Sequence, residues 1–281
     1  MKHHHKIKHH HRVRKPHIEA TSIETLPKIR FIEDLRNKHQ GEEIWIIGSG
    51  PTIDDYPDNF FDNKIGIALK GAILAFPNST YLMHCISSGC AFSRKKVVYG
   101  WLQDDRMHLL KRFIIPTHII KVPPKFKNLP DWRNCIRMLR KRNPVKKGGE
   151  KHYFFETVEK IMKGEPTQYP CLDSHSHWGI QAAAILGAKK ITLVGCDIKF
   201  LKWQHSGLRH GLDEFYATKA KNISPFSIER QRGKHPTQLG QQQGNEWLAE
   251  AFAPFGVEVC RYYYGKGYRD ISELPDFKIE P

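Results

Sequence analysis

Residues 174–197 read SHSHWGIQAAAILGAKKITLVGCD. The part from His177 to Gly187 is rich in strong helix formers and stops at a glycine. Ala188-Lys189-Lys190 follow, and then the β-branched run Ile191-Thr192-Leu193-Val194-Gly195. Helix, glycine stop and strand form the αβ half of a parallel crossover unit. The unit delivers Asp197 just past the carboxyl end of its strand, where ligands gather in open parallel sheets.

Similar pieces lie upstream. Glu43-Ile44-Trp45-Ile46-Ile47 is a short apolar run that stops at Gly48-Ser49-Gly50-Pro51-Thr52, which reads as a buried strand entering a tight turn. Ile65–Leu69 and Tyr81–His84 repeat the strand pattern, and 111–122 offers another. Residues 23–40 place Ile29, Phe31, Ile32 and Leu35 near helical spacing and predict a leading helix before Gly41. Downstream, Gly244–Pro254 predicts a helix and Val257–Cys260 a last strand. Together these predict an α/β, Rossmann-like domain over 23–281: a mostly parallel sheet with helices on both faces. Residues 1–22 are expected to be a disordered His- and Lys-rich tail, and 125–151 a basic insertion or lid with ten Lys or Arg against two acids.

The 281 residues carry a formal charge of +16, of which the first fifteen supply six cations and no acid, so the rest is still +10. A basic body favours polyanions or phosphorylated ligands as partners. The longest apolar stretches fall well short of the roughly 20 residues a membrane span needs, and no secretory signal is evident. The six cysteines form no Cys-x-x-Cys pair, which excludes a zinc ribbon and suits reduced thiols. A cytoplasmic protein is expected, with the basic 125–151 region able to meet an anionic membrane face. Nucleic acid is the weaker partner class, because no RNP, zinc-finger or helix-turn-helix pattern accompanies the charge.

Several residues are candidates for chemistry. The Gly48–Thr52 turn can offer backbone amides and a hydroxyl to a phosphate at the amino end of a following helix. It carries neither the third glycine of a dinucleotide loop nor the Gly-Lys-Ser/Thr of a P-loop, which disfavours hydride transfer and motor-type ATP hydrolysis. Asp54 and Asp55 read as acids placed for a helix dipole. Asp197 is suited to a sugar hydroxyl or to a metal. Ser174 and Ser176 can cap the central helix or contact a phosphate. Lys199, Lys202, His205, Arg209 and His210 gather cations after the Asp197 strand, and His235 is a candidate acid or base.

Ile46-Ile47-Gly48-Ser49-Gly50-Pro51-Thr52 and Ala184–Asp197 resemble the Gly-x-Gly-Pro-Ser and Leu-Gly-x-x-x-Ile-x-Leu-x-Gly-x-Asp signatures of two groups. These are the bacterial lipooligosaccharide sialyltransferases and the 6-hydroxymethylpterin diphosphokinase-like family, and the likeness spans roughly residues 42–260. The sialyltransferase resemblance implies a CMP-sugar donor against Gly48, Ser49, Gly50 and Thr52, a contact from Ser174 or Ser176, a phosphate held by the loop after Asp197, and His235 as base. The chain departs at Ser49, where an Asn is usual, near Lys70, where another Asn is expected, and near Lys199 and His205, which stand where tyrosines hold the phosphate. The diphosphokinase resemblance instead implies ATP with magnesium near Asp197 and His84.

The expected function is therefore a transferase on a nucleotide-activated donor, with no tightly bound cofactor. Glycosyl transfer to a glycan or glycolipid is favoured. His235 and Asp197 are its catalytic candidates; Gly48, Ser49, Gly50, Pro51, Thr52, Lys70, Ser174, Ser176, Lys199 and His205 are its nucleotide- and phosphate-binding candidates. An ATP- and Mg-dependent diphosphokinase, or a non-catalytic nucleic-acid binder, stands as the alternative.

Overall fold

The computed structural model describes residues 30–76, 78–83, 113–117, 135–141, 150–172, 174–197 and 236–274. The proposed tail, His84, Lys199, His205, His235 and most of 125–151 lie outside them. The described strands are β1 (Arg30–Phe31), β2 (Glu43–Ile47), β3 (Ile65–Leu69), β4 (Tyr81–Met83), β5 (Phe113–Thr117), β6 (Ile136–Leu139), β7 (Lys190–Val194), β8 (Glu258–Tyr263) and β9 (Gly267–Arg269). They form one sheet in the order β1-β6-β5-β4-β3-β2-β7-β8-β9, parallel throughout except for the β8–β9 hairpin. The α/β, Rossmann-like expectation holds.

The strand order fixes where a site can form. From β2 the chain steps outward through β3, β4, β5 and β6, then returns to lay β7 against the other side of β2. Because parallel crossovers are right-handed, the outward and returning halves run their connections over opposite faces of the sheet. Such a reversal of strand order leaves a crevice outside the carboxyl ends of β2 and β7.

Each face is buried for its own reason. In β2, Ile44 and Ile46 point to the face covered by α2 (Glu150–Lys163), α3 (His175–Ile185) and α4 (Pro236–Phe252), where Phe154, Val158, Ile180, Ala183, Leu248 and Phe252 complete one apolar core. Trp45 points the other way and meets Phe60, Phe61 and Tyr262 edge-on at 5.4–5.9 Å between ring centres. That side is closed by the 3-10 segment Pro51–Asp55, the single turn α1 (Ala72–Ala75) and an aromatic cluster that includes Tyr56 and Phe76. Burial on both faces explains why the strands read as continuous apolar runs rather than alternating ones.

Four expectations need correction. Over its described part, the leading helix of 23–40 is instead β1 followed by the 3-10 segment Ile32–Leu35: Arg30 and Phe31 pair with Ile136 and Arg137 of β6, so the sheet claims residues that helical spacing alone allowed. The turn after β2 enters the five-residue 3-10 segment, not an α-helix, and therefore has no appreciable macrodipole. The 125–151 stretch is not wholly an insertion, since it supplies β6, an interior strand in which Arg137 is 2% exposed. The last helix begins at Pro236, eight residues before the expected start.

Candidate functional site

The carboxyl ends of β2 and β7 are laced together by main chain. Gly48 N–H donates to Val194 O at 2.8 Å and Gly50 N–H to Gly195 O at 2.6 Å. The next alternate donor, Thr52 N–H, reaches the Asp197 carboxylate at 2.8 Å, and the Thr52 hydroxyl lies 2.7 and 2.9 Å from its two oxygens. Only glycines allow this approach: a Cβ on Gly48 would overlap the Gly195 carbonyl, and Gly195 itself has φ +56°. The amides of Gly48, Gly50 and Thr52 therefore hold β7, and Pro51 has no N–H to give. The turn serves as a close-fitting wall rather than as the amide cradle that the sequence suggested.

Beside this wall lies a cleft lined by Gly48, Ser49, Gly50, Lys70, Ser174, His175, Ser176, Cys196, Asp197, Gln241 and Asn245, among others. It offers about 100 Å³ to a water-sized group, against the roughly 10–15 Å³ that one water needs. A phosphoryl-sized group fits in its depth, and its mouth opens to solvent.

Opposite the glycine turn, the first turn of α3 opens onto the cleft. Ser174 is its N-cap and accepts from Ser176 N–H at 3.3 Å. The Ser176 hydroxyl donates to Asn245 Oδ1 at 2.8 Å, so in the 2.7 Å pair between the two serines the proton comes from Ser174. An eleven-residue helix with its amino end exposed to the cleft favours an anion there. Lys70 adds a cation from the end of β3. It sits in the left-handed region at φ +52°, its N–H fixed by Met83 O at 2.9 Å. A non-glycine residue held in that conformation costs about 1–2 kcal/mol, and such strain is concentrated at functional positions.

The titratable groups are tuned by burial. Asp197 is 6% exposed. Burial pushes its carboxyl above the ordinary value, and the Thr52 hydrogen bonds and the nearby Arg261 charge oppose that rise. Cys196 is likewise pushed up to about 12 by burial, so its thiol is protonated and unsuited to nucleophilic attack. Arg261, 1% exposed, binds Cys196 O at 3.1 Å, Gln242 Oε1 at 2.6 Å and Ile271 O at 2.9 Å. It therefore ties β8, α4 and the C-terminal segment to the loop that carries Asp197.

His177, on α3 next to the cleft-lining Ser176, accepts Leu172 N–H on Nδ1 at 3.0 Å and donates from Nε2 to Gln241 O at 2.8 Å. Complete burial lowers its pKa to about 4, so it is a neutral strut rather than an acid or base.

Of the predicted site residues, the fold brings Gly48, Ser49, Gly50, Lys70, Ser174, Ser176 and Asp197 around one cleft, with Pro51 and Thr52 behind the wall. His235, Lys199 and His205 fall outside the described residues. Asp54 and Asp55 sit within the 3-10 segment. No group of three or more His, Cys, Asp or Glu converges on a metal position among the described residues. A resident magnesium fits poorly, since Asp197 is the one carboxylate lining the described cleft and both its oxygens already bind Thr52. Gln241, Asn245 and Arg261 were missed by sequence reasoning. No helix among the described residues is long and apolar enough to cross a membrane. The comparisons with known proteins return no match: no family model, no curated protein and no solved structure aligns with this chain.

Proposed function

We propose that the cleft binds the phosphate of a nucleotide-activated donor and that the protein is a transferase, with glycosyl transfer as its reaction. The observation that carries this reading is the meeting, at the switch between β2 and β7, of a side-chain-free glycine wall, the amino end of α3 and the strained Lys70. The motifs that resemble the sialyltransferases are the same residues that build the wall. A phosphate leaving group there would be stabilised by the helix end and by Lys70, with the Ser49 hydroxyl lining the same cleft, groups held in place before reaction. Asp197 acts by holding Thr52 and so the wall. His235, which immediately precedes α4 in sequence, takes the acceptor proton in this reading.

The test is a thermal-shift screen of CMP-, UDP- and GDP-sugars, their free nucleotides, and ATP with and without magnesium. A rise in Tm with a sugar nucleotide that is indifferent to magnesium is expected. Stabilisation by ATP only with magnesium would indicate diphosphate transfer instead, and salt-sensitive oligonucleotide binding with no nucleotide effect would indicate a nucleic-acid binder. With the cognate donor, a His235→Ala variant that kept full transfer activity would remove that residue's role.

A further inference from the structure

The α4 side of the cleft is uncharged. Gln241 and Asn245, four residues apart and hence on one helix face, both line it. Asn245 is 1% exposed. Its Oδ1 takes the Ser176 hydroxyl proton, while its Nδ2 has no hydrogen-bond partner among the described residues. The Gln241 carboxamide has none there either, although its main-chain carbonyl is fixed by His177. Gly244 makes this docking possible, since a Cβ at that position would overlap the His177 ring. Gln242 turns away: it donates to Ile271 O at 2.9 Å and Glu246 Oε1 at 2.6 Å and accepts from Arg261. One amide of this helical turn is spent on the fold, while Asn245, anchored by Ser176, and Gln241 line the cleft with donors to spare.

The chemistry of such a wall differs from that of the opposite side. A phosphate only accepts hydrogen bonds and is served by Lys70 and the α3 terminus. A carboxamide both donates and accepts, which matches a hydroxyl. Two carboxamides one turn apart, with Cβ atoms about 5–6 Å from each other, can bracket neighbouring hydroxyls on one ring.

We propose that Gln241 and Asn245 form a sugar-reading wall that hydrogen-bonds the hydroxyls of the sugar directly attached to the bound phosphate. This rests on the phosphate-binding reading of the cleft, and the experiment separates the two. Inorganic phosphate, ribose 5-phosphate and glucose 1-phosphate are titrated into the full chain and into Gln241→Ala and Asn245→Ala variants, with binding followed by ligand-observed NMR. The wild type is expected to bind one of the sugar phosphates at least tenfold more tightly than inorganic phosphate. Each variant is expected to lose at least fivefold of that advantage while holding inorganic phosphate within twofold. Preference for ribose 5-phosphate assigns the wall to the nucleoside ribose, and preference for glucose 1-phosphate assigns it to the transferred sugar.

Sugar phosphates no tighter than phosphate, equal weakening of all three ligands, or no change in the variants would each overturn the wall while leaving the phosphate site standing. Absence of binding by every probe removes both. Should Asn245→Ala fail to fold, Gln241→Ala decides, because its side chain holds no protein group among the described residues.

Discussion

The Asp197 carboxylate receives both the main-chain N–H and the hydroxyl of Thr52, 145 residues away in sequence, and so clasps the ends of β2 and β7 across the switch of the sheet. Asp197→Ala leaves a buried N–H and hydroxyl without acceptor and should cost about 3 kcal/mol. Asp197→Asn keeps an acceptor of the same shape and removes a desolvated charge, so it should restore most of that stability. Chemical denaturation of both variants measures the difference. Ligand affinity that survives in the Asn variant confirms a holding role; affinity lost there despite restored stability would place the carboxylate on the ligand.

Gly48→Ala forces a methyl group against a backbone carbonyl that cannot swing aside. The two strand ends must part, at about 3 kcal/mol, and nucleotide binding should weaken more than tenfold. Denaturation midpoints together with thermal shift by the cognate nucleotide test both effects.

Lys70→Gly separates stability from binding. Glycine relieves the left-handed strain but gains freedom in the unfolded chain, so the net change should stay within about 1 kcal/mol. The cation at the cleft is lost. The expected outcome is a near-unchanged Tm with phosphate affinity reduced at least fivefold, read by the same titration of inorganic phosphate.

His177 makes stability depend on acid. Its folded-state pKa of about 4 lies below the unfolded value of 6.5, so the unfolded chain takes up the proton first as pH falls. The stabilisation is whole above about pH 6.5 and is lost progressively between there and pH 4, by about 3 kcal/mol in all. Asp197 has the opposite sign: its raised pKa makes the folded state hold the proton longer, so its share of stability falls as pH rises from 3.8 through the folded value. Urea denaturation between pH 4 and 8 should show the His177 slope, and a His177→Gln variant should flatten it.

The readable and unreadable parts of this chain divide on physical lines. Glu43–Ile47, Ile65–Leu69 and Lys190–Val194 announce themselves because both faces of the sheet are covered, which leaves uninterrupted apolar runs. β6 escaped notice because Arg137 stands inside it amid a cationic stretch, and only the pairing with β1 and β5 shows that this cation is buried. Ile32 and Leu35 satisfy helical spacing as well as 3-10 spacing, and the choice is made by β6, more than a hundred residues away. For the cleft, the glycine turn and Asp197 were legible as motifs, but the spending of the turn's amides on β7 was not. Asn245 gave no signal, since one carboxamide within a helix looks like surface until Ser176 is seen to bond it. Gly240 hid the first two turns of α4 by lowering their helix propensity, and Gly244 is there to make room for His177.

Arg261 touches the carbonyl of Cys196 with one arm and that of Ile271 with another. Trimming the chain before Ile271, by design or by a protease, would therefore be felt at the mouth of the crevice. A short deletion from the C-terminus that removes Ile271 but spares every cleft residue should still blunt ligand capture, which makes the turn around Ile271 a remote handle on the site.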